Sequence, residues 1–412
     1  MSRAAPPLKG LRVLELGELL AGPLVGTLLG EFGAEVIKVE RPGRGDVLRQ
    51  FGPAYEGESL YWTVNARNKK SVVLDLGSDV AKPVLEDLIA RADVLVNSLR
   101  PGTLEGWGFD EETLLSRYPR LVIVYASAFG RTGPKSDLGG YDPIAQGYSG
   151  LSFLTGEADG PPMRAGGAIP VCDFMTGFAG ALGAVMALYR RDAGNGGRGA
   201  SVDIALYDVA FRMLGPLLAL QDLTGRTWKR DGNHSLGGAP TGHFRTSSGE
   251  WICTSVQNDA QFKRLAALIG HPEWLADERF ASPASRTRHR DAIEEVVTHW
   301  ICQRSRDEVL AAFGGADLPV GPINSMADLA RDDHIGRSTF WAMAGKRRYR
   351  QPTRVPKLAG EEEPRHLNSP ALGEHTLEVL RDTLGYSAER IALLTEPARR
   401  HSACRSARTA DG

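Results

Sequence analysis

Short apolar runs alternate with helix-like segments through the first half of the chain. The runs "LRVLEL", "AEVIKVE", "SVVLDL", "DVLVNS" and "RLVIVYASAF" are rich in β-branched residues, and stretches such as "DVAKPVLEDLIARA" separate them. Continuous apolar runs joined by helices are typical of βαβ units, whose parallel strands are covered on both faces. The pattern therefore predicts an α/β fold with a parallel sheet. Because such sheets bind ligands beyond the carboxyl ends of their strands, we expect the site in the following loops.

The composition of the sequence changes near residue 226, where the Gly-rich stretch "GRTWKRDGNHSLGGAPTG" follows a long helical region. We predict a large domain over residues 1–225 and a smaller α/β or α+β domain over 226–325. A return segment follows over 326–396. Residues 397–412 lack periodicity, so we expect them to form a disordered tail.

The overall charge is balanced, with 49 basic and 50 acidic residues. No global field therefore attracts nucleic acid or an anionic membrane, and the basic run "GKRRYR" is typical of a solvated face. The N-terminus lacks a signal-peptide core, and we expect that no apolar run approaches the roughly 18 residues needed to cross a bilayer. The most apolar stretch, 174–189, is predicted to be a buried helix. We expect no nucleic-acid partner and no membrane partner.

The four cysteines form no CxxC pair, and the nine histidines never fall into HxxxH or HExxH spacing. This pattern argues against a disulfide framework and against a metal site, and it suits a reducing, cytoplasmic location.

The sequence lacks the motifs of three common functions of α/β sheets. The loop after the first strand is "GELLAGPLVG" instead of GxGxxG, and the chain contains no GxxxxGK[ST]. The segment "GYSGL" lacks the GxSxG spacing of the hydrolase nucleophile. These absences disfavour dinucleotide binding, P-loop phosphate binding and serine hydrolysis.

One carboxylate, Asp173 in "PVCDFMTG", stands at the start of a long small-residue helix. The position suits a helix N-cap, whose oxygen accepts backbone N–H bonds. It also suits a nucleophile, because the positive end of the helix dipole favours the ionised form, which can attack an activated acyl group. Gly177, Gly180, Ala181 and Gly183 would let a neighbouring backbone or a ligand approach closely. Spacing alone leaves both interpretations open.

Several segments together resemble the family III CoA-transferases, the group of formyl-CoA transferase and carnitine CoA-transferase. They occur in the family's order up to about residue 396: "LKGLRVLELGELLAGP", "LGEFGAEVIKVERPGRGD", "NARNKKSVVLDL", "LRPGTLEGWGF", "YPRLVIVYASAFGRTGP", "GYDPIAQGYSGL", "DGPPMRAGGAIPVCDFMTG", "GRGASVDIALYD" and "LGEHTLEVLRDTLGYS". The resemblance implies an interlocked homodimer. Each chain would have a large Rossmann-like domain made from both chain ends, completed by residues 326–396, and a small domain between them.

The resemblance also implies the chemistry. Asp173 would be the catalytic residue that moves CoA from an acyl-CoA to a small carboxylic acid, through a mixed anhydride and an aspartyl-CoA thioester. No cofactor beyond the CoA thioester itself is implied. Leu20 stands where formyl-CoA transferase has a glutamine, which favours an acid larger than oxalate. Succinyl-CoA is a candidate donor, a dicarboxylic acid is a candidate acceptor, and Arg164 is a candidate partner for the distal carboxylate.

Further site residues are carried over by the resemblance. The implied CoA or substrate contacts are Leu20, Ala21, Arg41, Arg67, Asn68, Lys69, Ser98, Leu99, Arg100 and Tyr141. Asp142 is implied as a supporting residue, and Gly237 and Gly238 as a shortened form of a mobile glycine loop that shields the intermediates from water. Gly106 stands where formyl-CoA transferase has a further CoA-binding arginine, so the phosphate contacts must differ.

Two other functions are considered. The related α-methylacyl-CoA racemases pair the aspartate with a histidine, because proton exchange needs a second group at the α-carbon. Here Tyr141 stands at the histidine position, which favours the transferase. A non-catalytic acyl-CoA-binding protein is the third alternative, and the presence of Asp173 argues against it.

Overall fold

The computed structural model describes residues 4–194, 196–235, 237–344, 347–360 and 368–395, which form two compact units. The larger unit takes the described residues up to Ser152, then Arg164–Arg226, and those from Thr339 onward. The smaller unit takes Phe153–Met163 and Thr227–Ser338. The predicted tail over 397–412 lies outside the described residues.

The smaller unit extends beyond the boundary expected at residue 325. Residues 326–338, which the sequence placed in the return segment, belong to the smaller unit. Ser325 caps a short helix there, and Asp328 of that helix lies 3.9 Å from the guanidinium of Arg306 in the same unit.

The strands are, in chain order, β1 (Arg12–Leu16), β2 (Glu35–Glu40), β3 (Ala54–Tyr55), β4 (Glu58–Ser59), β5 (Lys69–Val73), β6 (Val94–Asn97), β7 (Val122–Ser127), β8 (Ser201–Ala205), β9 (Thr241–Arg245), β10 (Trp251–Ser255), β11 (Val320–Pro322), β12 (Thr339–Ala344) and β13 (Arg347–Pro352).

The helices are, in chain order, α1 (Ala21–Glu31), α2 (Leu60–Asn65), α3 (Lys82–Ile89), α4 (Thr103–Gly106), α5 (Glu111–Arg117), α6 (Asp142–Ser149), α7 (Leu151–Leu154), α8 (Val171–Ala193), α9 (Leu206–Met213), α10 (Leu217–Thr224), α11 (Asp259–Ile269), α12 (Pro283–Arg288), α13 (Arg290–Cys302), α14 (Arg306–Gly315), α15 (Met326–Leu329), α16 (Asp333–Gly336), α17 (Thr376–Glu378) and α18 (Ala388–Thr395). Single 3₁₀ or π turns cover Val47–Gln50, Pro272–Ala276, Glu278–Phe280 and Val379–Thr383.

Six strands of the larger unit form one parallel sheet in the order β5–β2–β1–β6–β7–β8. The chain starts at β1, builds outward through β2, and then crosses back to add β6 on the other side of β1. The winding therefore reverses between β1 and β6, and the crevice beyond the carboxyl ends at such a switch point is the usual ligand site. The predicted α/β class with a parallel sheet is confirmed.

Helices α1 and α8 cover one face of this sheet and approach each other closely. A Cβ atom at Gly177 of α8 would lie 2.5 Å from Leu24 of α1, and one at Gly180 would lie 2.5 Å from Val25. Only glycine fits at both positions without displacing the neighbouring helix. At the start of α1, Leu20 packs in a cluster with Phe174, and Ala21 packs in a cluster with Cys172, so the N-termini of α1 and α8 lie side by side.

Residues from both ends of the described chain contribute to the hydrophobic core of the larger unit. Leu14 and Ile37 of the first two strands belong to the same buried cluster as Leu85 of α3. Val379 and Leu380, near the C-terminus, belong to that cluster too.

Helix α8 is long and apolar enough to cross a membrane by length and composition alone, with 39% of its most apolar window buried. The sequence expectation had been that no stretch reaches that length. Core helices of soluble proteins meet the same criterion, so the finding is weak evidence for a membrane span. The buried face of α8 packs on α1 and on Ile204 and Val124 of the sheet through its glycines.

The smaller unit contains a three-stranded antiparallel sheet in the order β11–β10–β9. Its core contains a cluster of three aromatic rings: Phe262 of α11 stacks on Trp274 with 5.7 Å between ring centroids, and Phe280 packs against both rings.

Candidate active site

Asp173 is the third residue of α8, not its cap. The helix begins at Val171, and the residue before it, Pro170, makes no side-chain cap bond. The helix-cap interpretation of Asp173 is therefore wrong. The carboxylate stands in the first turn, at the end of α8 that lies beside the start of α1.

Asp142, which lies on α6, caps the N-terminus of α8 with its side chain. Its Oδ1 accepts the backbone N–H of Cys172 at 2.7 Å, and its Oδ2 accepts bonds from Gln146 Nε2 at 2.8 Å and Arg164 Nη2 at 3.2 Å. The Asp142 side chain is buried. Both of its oxygens are thus engaged in holding the segment before Asp173.

The carboxylate of Asp173 makes no hydrogen bond or ion pair within the described part of the chain. Burial, and secondly the negative charge of Asp142, raise the pKa of Asp173 to about 7. The sequence had predicted that the helix dipole would favour the ionised form, but desolvation and the like charge outweigh it. The conjugate base of a weaker acid is more basic, so the ionised form of Asp173 is a better nucleophile than an ordinary carboxylate.

The first residues of α1 pack on both neighbours of Asp173. Leu20 belongs to a buried apolar cluster against which Phe174 packs, and Ala21 packs on the cluster that contains Cys172. Burial raises the pKa of the Cys172 thiol to about 12, so this thiol stays protonated near neutral pH. Of the two adjacent side chains, only Asp173 can supply an anionic nucleophile.

A cleft of about 290 Å³ opens at the carboxyl ends of β1, β2, β5 and β6. Gly17, Glu18, Arg41 and Leu99 line it, so the structure brings two of the predicted contact residues, Arg41 and Leu99, to one site. Arg41 is 68% exposed, and its Nε lies 3.2 Å from Glu18 Oε1.

Part of the cleft wall consists of residues that were not predicted from the sequence. The segment 74–77, directly after β5, and Thr103 and Trp107 also line the cleft. The available signal was positional, because "SVVLDLG" is a parallel-strand run whose carboxyl end must reach the same edge of the sheet as the first strand.

Arg67 and Lys69 face the protein interior instead of the cleft, and their role as CoA contacts stays a prediction. Lys69 Nζ lies 2.8 Å from Glu15 Oε2 and donates to the Pro23 carbonyl at 2.7 Å. Burial lowers the pKa of Lys69. Arg67 pairs with Glu31 and donates to Gln351 Oε1 at 3.2 Å. Both cations are buried and ion-paired within the protein.

The other predicted contacts Asn68, Ser98, Arg100 and Tyr141 do not line this cleft. Ser98 Oγ is buried between Gly17 and Gly22, where it has no hydrogen-bond partner among the described residues. Tyr141, just before α6, is 65% exposed. Arg100 is exposed as well, and Asn68 occupies the turn before β5 with φ of 63°. These placements leave their roles as predictions.

Gly237 and Gly238 belong to the smaller unit. Gly238 is buried with φ of 88°, and its N–H donates to Thr287 Oγ1 at 3.2 Å. A Cβ there would lie 2.7 Å from the Val256 carbonyl oxygen, so this position requires glycine for local packing. Gly237 is exposed. The shielding role of this loop stays a prediction.

The fold and the site together define an open α/β protein with a switch-point cleft and a carboxylate of raised pKa in the first turn of a helix. No group of three or more metal-ligating side chains occurs in the part of the chain that the structure describes. No histidine in that part hydrogen-bonds or pairs with Asp142 or Asp173.

Comparison with known proteins gives the class. The model of CoA-transferase family III matches residues 8–376. The chain is 36% identical over 395 residues to the succinyl-CoA–L-malate CoA-transferase alpha subunit of Chloroflexus aurantiacus, covering 94% of this chain and 91% of the relative. It is 33% identical to a succinate–glutarate CoA-transferase of Agrobacterium fabrum, covering 93% and 97%.

A solved structure agrees. A CAIB/BAIF family protein from Brucella suis superposes with a TM-score of 0.80 at 32% identity, covering 92% of this chain and all of the other. The chain belongs to CoA-transferase family III. It is an enzyme of the transferase class, as the resemblance had predicted.

Proposed function

We propose that this enzyme moves CoA from an acyl-CoA thioester to a free dicarboxylic acid, with Asp173 as the covalent carrier. The observation that carries the proposal is the state of this carboxylate. It stands in the first turn of α8 without a hydrogen-bond or ion-pair partner among the described residues, and its pKa is raised to about 7. A structural carboxylate at such a position is normally engaged as a cap, and here Asp142 performs that task.

The proposed steps balance without an external reactant. The Asp173 carboxylate attacks the thioester carbonyl, the C–S bond breaks, and a mixed anhydride and CoA thiolate result. The thiolate attacks the Asp173 carbonyl, which releases the donor acid and leaves an aspartyl-CoA thioester. The acceptor carboxylate attacks this thioester, which expels CoA thiolate and forms a second anhydride. The thiolate then attacks the acceptor carbonyl of that anhydride, which gives the acceptor's CoA thioester and releases the Asp173 carboxylate.

We place the nucleotide end of CoA in the cleft at the switch point. The cleft has a wall of mixed character, with the exposed cation of Arg41 for phosphate and the indole of Trp107 for the adenine. Glu18, which now pairs with Arg41, would exchange that partner for solvent when a phosphate binds.

The acid substrate would lie between Asp173 and the start of α1. Leu20 and Phe174 offer it an apolar wall, which suits a carbon chain better than it suits oxalate. Arg164 is 42% exposed and makes one 3.2 Å contact with Asp142, so its other donors can reach a second carboxylate. Two similar enzymes are named for malate and for glutarate, both dicarboxylic acids.

We further propose that two copies of the chain form the working enzyme. The outer face of α8 carries an apolar stripe of Phe178, Leu182, Val185, Met186 and Tyr189, all exposed in the single chain. A stripe of that length marks an interface in a protein that works in water. Because one relative carries the name alpha subunit, a complex with a second, different chain is the competing outcome of a native mass measurement.

The proposal is tested with purified protein, succinyl-CoA and a panel of mono- and dicarboxylic acids, following CoA esters by mass. Borohydride reduction in the presence of the donor alone should convert Asp173 to the corresponding alcohol, located by peptide mass. Asp173→Asn should abolish transfer, whereas Asp222→Asn, an exposed aspartate on α10, should not. Exchange of the α-proton without CoA transfer would support the racemase instead.

A further inference from the structure

Two buried charged side chains form hydrogen bonds with the backbone of the segment between β1 and α1, residues 17–20. Lys38 Nζ donates to the carbonyl of Gly17 at 3.0 Å, and the N–H of Leu19 donates to Asp46 Oδ1 at 3.0 Å. Leu19 has φ of 68°, the left-handed conformation that is unfavourable for a residue with a β-carbon. Such a conformation persists only where the surroundings impose it.

Lys38 and Asp46 also hold each other. Their side chains are 1% exposed, with 2.7 Å between Lys38 Nζ and Asp46 Oδ2, and Lys38 Nζ also lies 2.9 Å from Glu15 Oε1. A buried ion pair is expensive to desolvate and contributes little net stability compared with apolar residues of the same size. The pair therefore calls for an explanation beyond stability.

The segment 17–20 leads directly to the neighbours of Asp173. Leu20 lies in the cluster that packs on Phe174, and Ala21 packs on the cluster of Cys172. The position of the segment therefore sets how closely the start of α1 approaches Asp173. A displacement of about 1 Å at a reacting group can cost roughly a hundredfold in rate.

We propose that Asp46, supported by Lys38, is a positioning residue of the transfer reaction. It imposes the left-handed conformation on Leu19 and so fixes Leu20 and Ala21 beside Asp173. This inference rests on the proposed role of Asp173. Asp46 acts through the backbone of Leu19, and it neither attacks nor protonates the substrate.

The test separates this role from a general effect on stability. Asp46→Ala removes the acceptor of the Leu19 N–H and also that of the Leu48 N–H, which the same oxygen accepts at 2.8 Å. We expect kcat to fall by about ten- to a hundredfold, with a smaller change in the KM for the acyl-CoA. Adding Leu19→Gly should recover most of the lost kcat, because glycine adopts the left-handed conformation without help. Adding Leu19→Ala, the matched control, should recover nothing. Thermal unfolding of each variant is measured in parallel.

Two results would overturn the inference: an Asp46→Ala enzyme with unchanged kcat, or double variants with Gly and Ala at position 19 that are equally slow. If Asp46→Ala does not fold, the same pair of changes is made in Asp46→Leu, which also lacks an acceptor for the Leu19 N–H but fills more of the vacated volume, while Lys38 keeps its ion pair with Glu15. Asp173→Asn in the same assay distinguishes the two failures. Residual full transfer there contradicts the proposed function, whereas its loss together with an unaffected Asp46→Ala contradicts only the positioning role.

Discussion

The carboxylate of Asp142 accepts the backbone N–H of Cys172 at 2.7 Å, so the buried charge of one helix caps the next helix immediately before Asp173. The same charge is the second cause, after burial, of the raised pKa of Asp173. Capping by Asp142 leaves the Asp173 oxygens without the backbone bonds that would stabilise their ionised form. One residue thus both orders the helix start and makes the neighbouring carboxylate more basic.

The rate of CoA transfer should depend on pH with an acidic limb near pH 7. Only the ionised form of Asp173 can attack a thioester, and its pKa is about 7, so kcat/KM should rise as the pH increases through that value. The pH profile is measured between pH 5 and pH 9 with the donor below its KM. A limb near pH 4, the ordinary value for an aspartate, would show that the free enzyme does not hold Asp173 in a desolvated setting.

Asp142→Asn should move that acidic limb to lower pH. The change removes a neighbouring negative charge, and a like charge raises the pKa of a carboxyl, so its loss lowers the pKa of Asp173. The amide oxygen can still accept the Cys172 N–H, which preserves the cap. Burial remains, so the limb should stay above the ordinary aspartate value. The unchanged limb of Asp222→Asn serves as the control, and a shift to higher pH in Asp142→Asn would contradict the electrostatic argument.

The sheet could be predicted from the sequence because its signal is local. Each apolar run and each helical segment carries its own periodicity, and the positions of β1, β2, β5, β6 and β7 follow from these runs. The orientation of Lys69 could not be predicted, because its partner Glu15 lies 54 residues away on another strand. A segment rich in cations looks the same in sequence whether it binds phosphate or a buried carboxylate.

The cap of α8 shows the same limit. The residue that accepts the Cys172 N–H stands 30 positions earlier in the chain, and local reasoning assigns the cap to the nearest polar side chain, Asp173. The raised pKa of Asp173 could not be predicted from the sequence either, because burial and the distance to Asp142 are properties of the folded chain. The prediction that Asp173 is the reactive carboxylate came only from the family resemblance.

Cys172 should be dispensable for transfer although it adjoins Asp173. Burial raises the pKa of its thiol to about 12, so almost none is thiolate at pH 8. Cys172→Ala should retain most of the activity and lose about 1 kcal/mol of stability from the vacated volume. Iodoacetamide should leave the folded enzyme active. Rapid inactivation of the wild type, with protection in Cys172→Ala, would instead implicate the thiol.

The Asp173→Asn variant should be more stable than the wild type, but only at higher pH. The folded state keeps the Asp173 proton up to about pH 7, whereas an unfolded aspartate loses it near pH 4. Wild-type stability contributed by this group is therefore present at low pH and is lost as the pH rises from about 4 to about 7. The difference in unfolding free energy should grow across that window to at most about 4 kcal/mol above pH 7, with solvent screening reducing it. Urea unfolding at pH 4.5 and pH 8 measures it, and equal differences at both values would be inconsistent with a raised pKa.

Substitutions at Gly180 of α8 and Val25 of α1 should have non-additive effects on the free energy of unfolding, because the two residues are in contact. A Cβ at position 180 would lie 2.5 Å from Val25 Cγ2, so Gly180→Ala should cost about 1–3 kcal/mol although alanine is the better helix former. Val25→Ala should cost about 2 kcal/mol by leaving a void. The double variant should cost less than the sum, because the new methyl group occupies the vacated space.

Gly314→Ala in α14 is the control for helix propensity, because a Cβ there meets nothing within 4 Å. It should stabilise the protein by about 0.5–1 kcal/mol. Denaturant unfolding of the four variants gives the coupling energy. Strict additivity of Gly180→Ala and Val25→Ala would mean that α1 and α8 do not meet at these residues, and the side-by-side placement of Leu20 and Asp173 would lose its support.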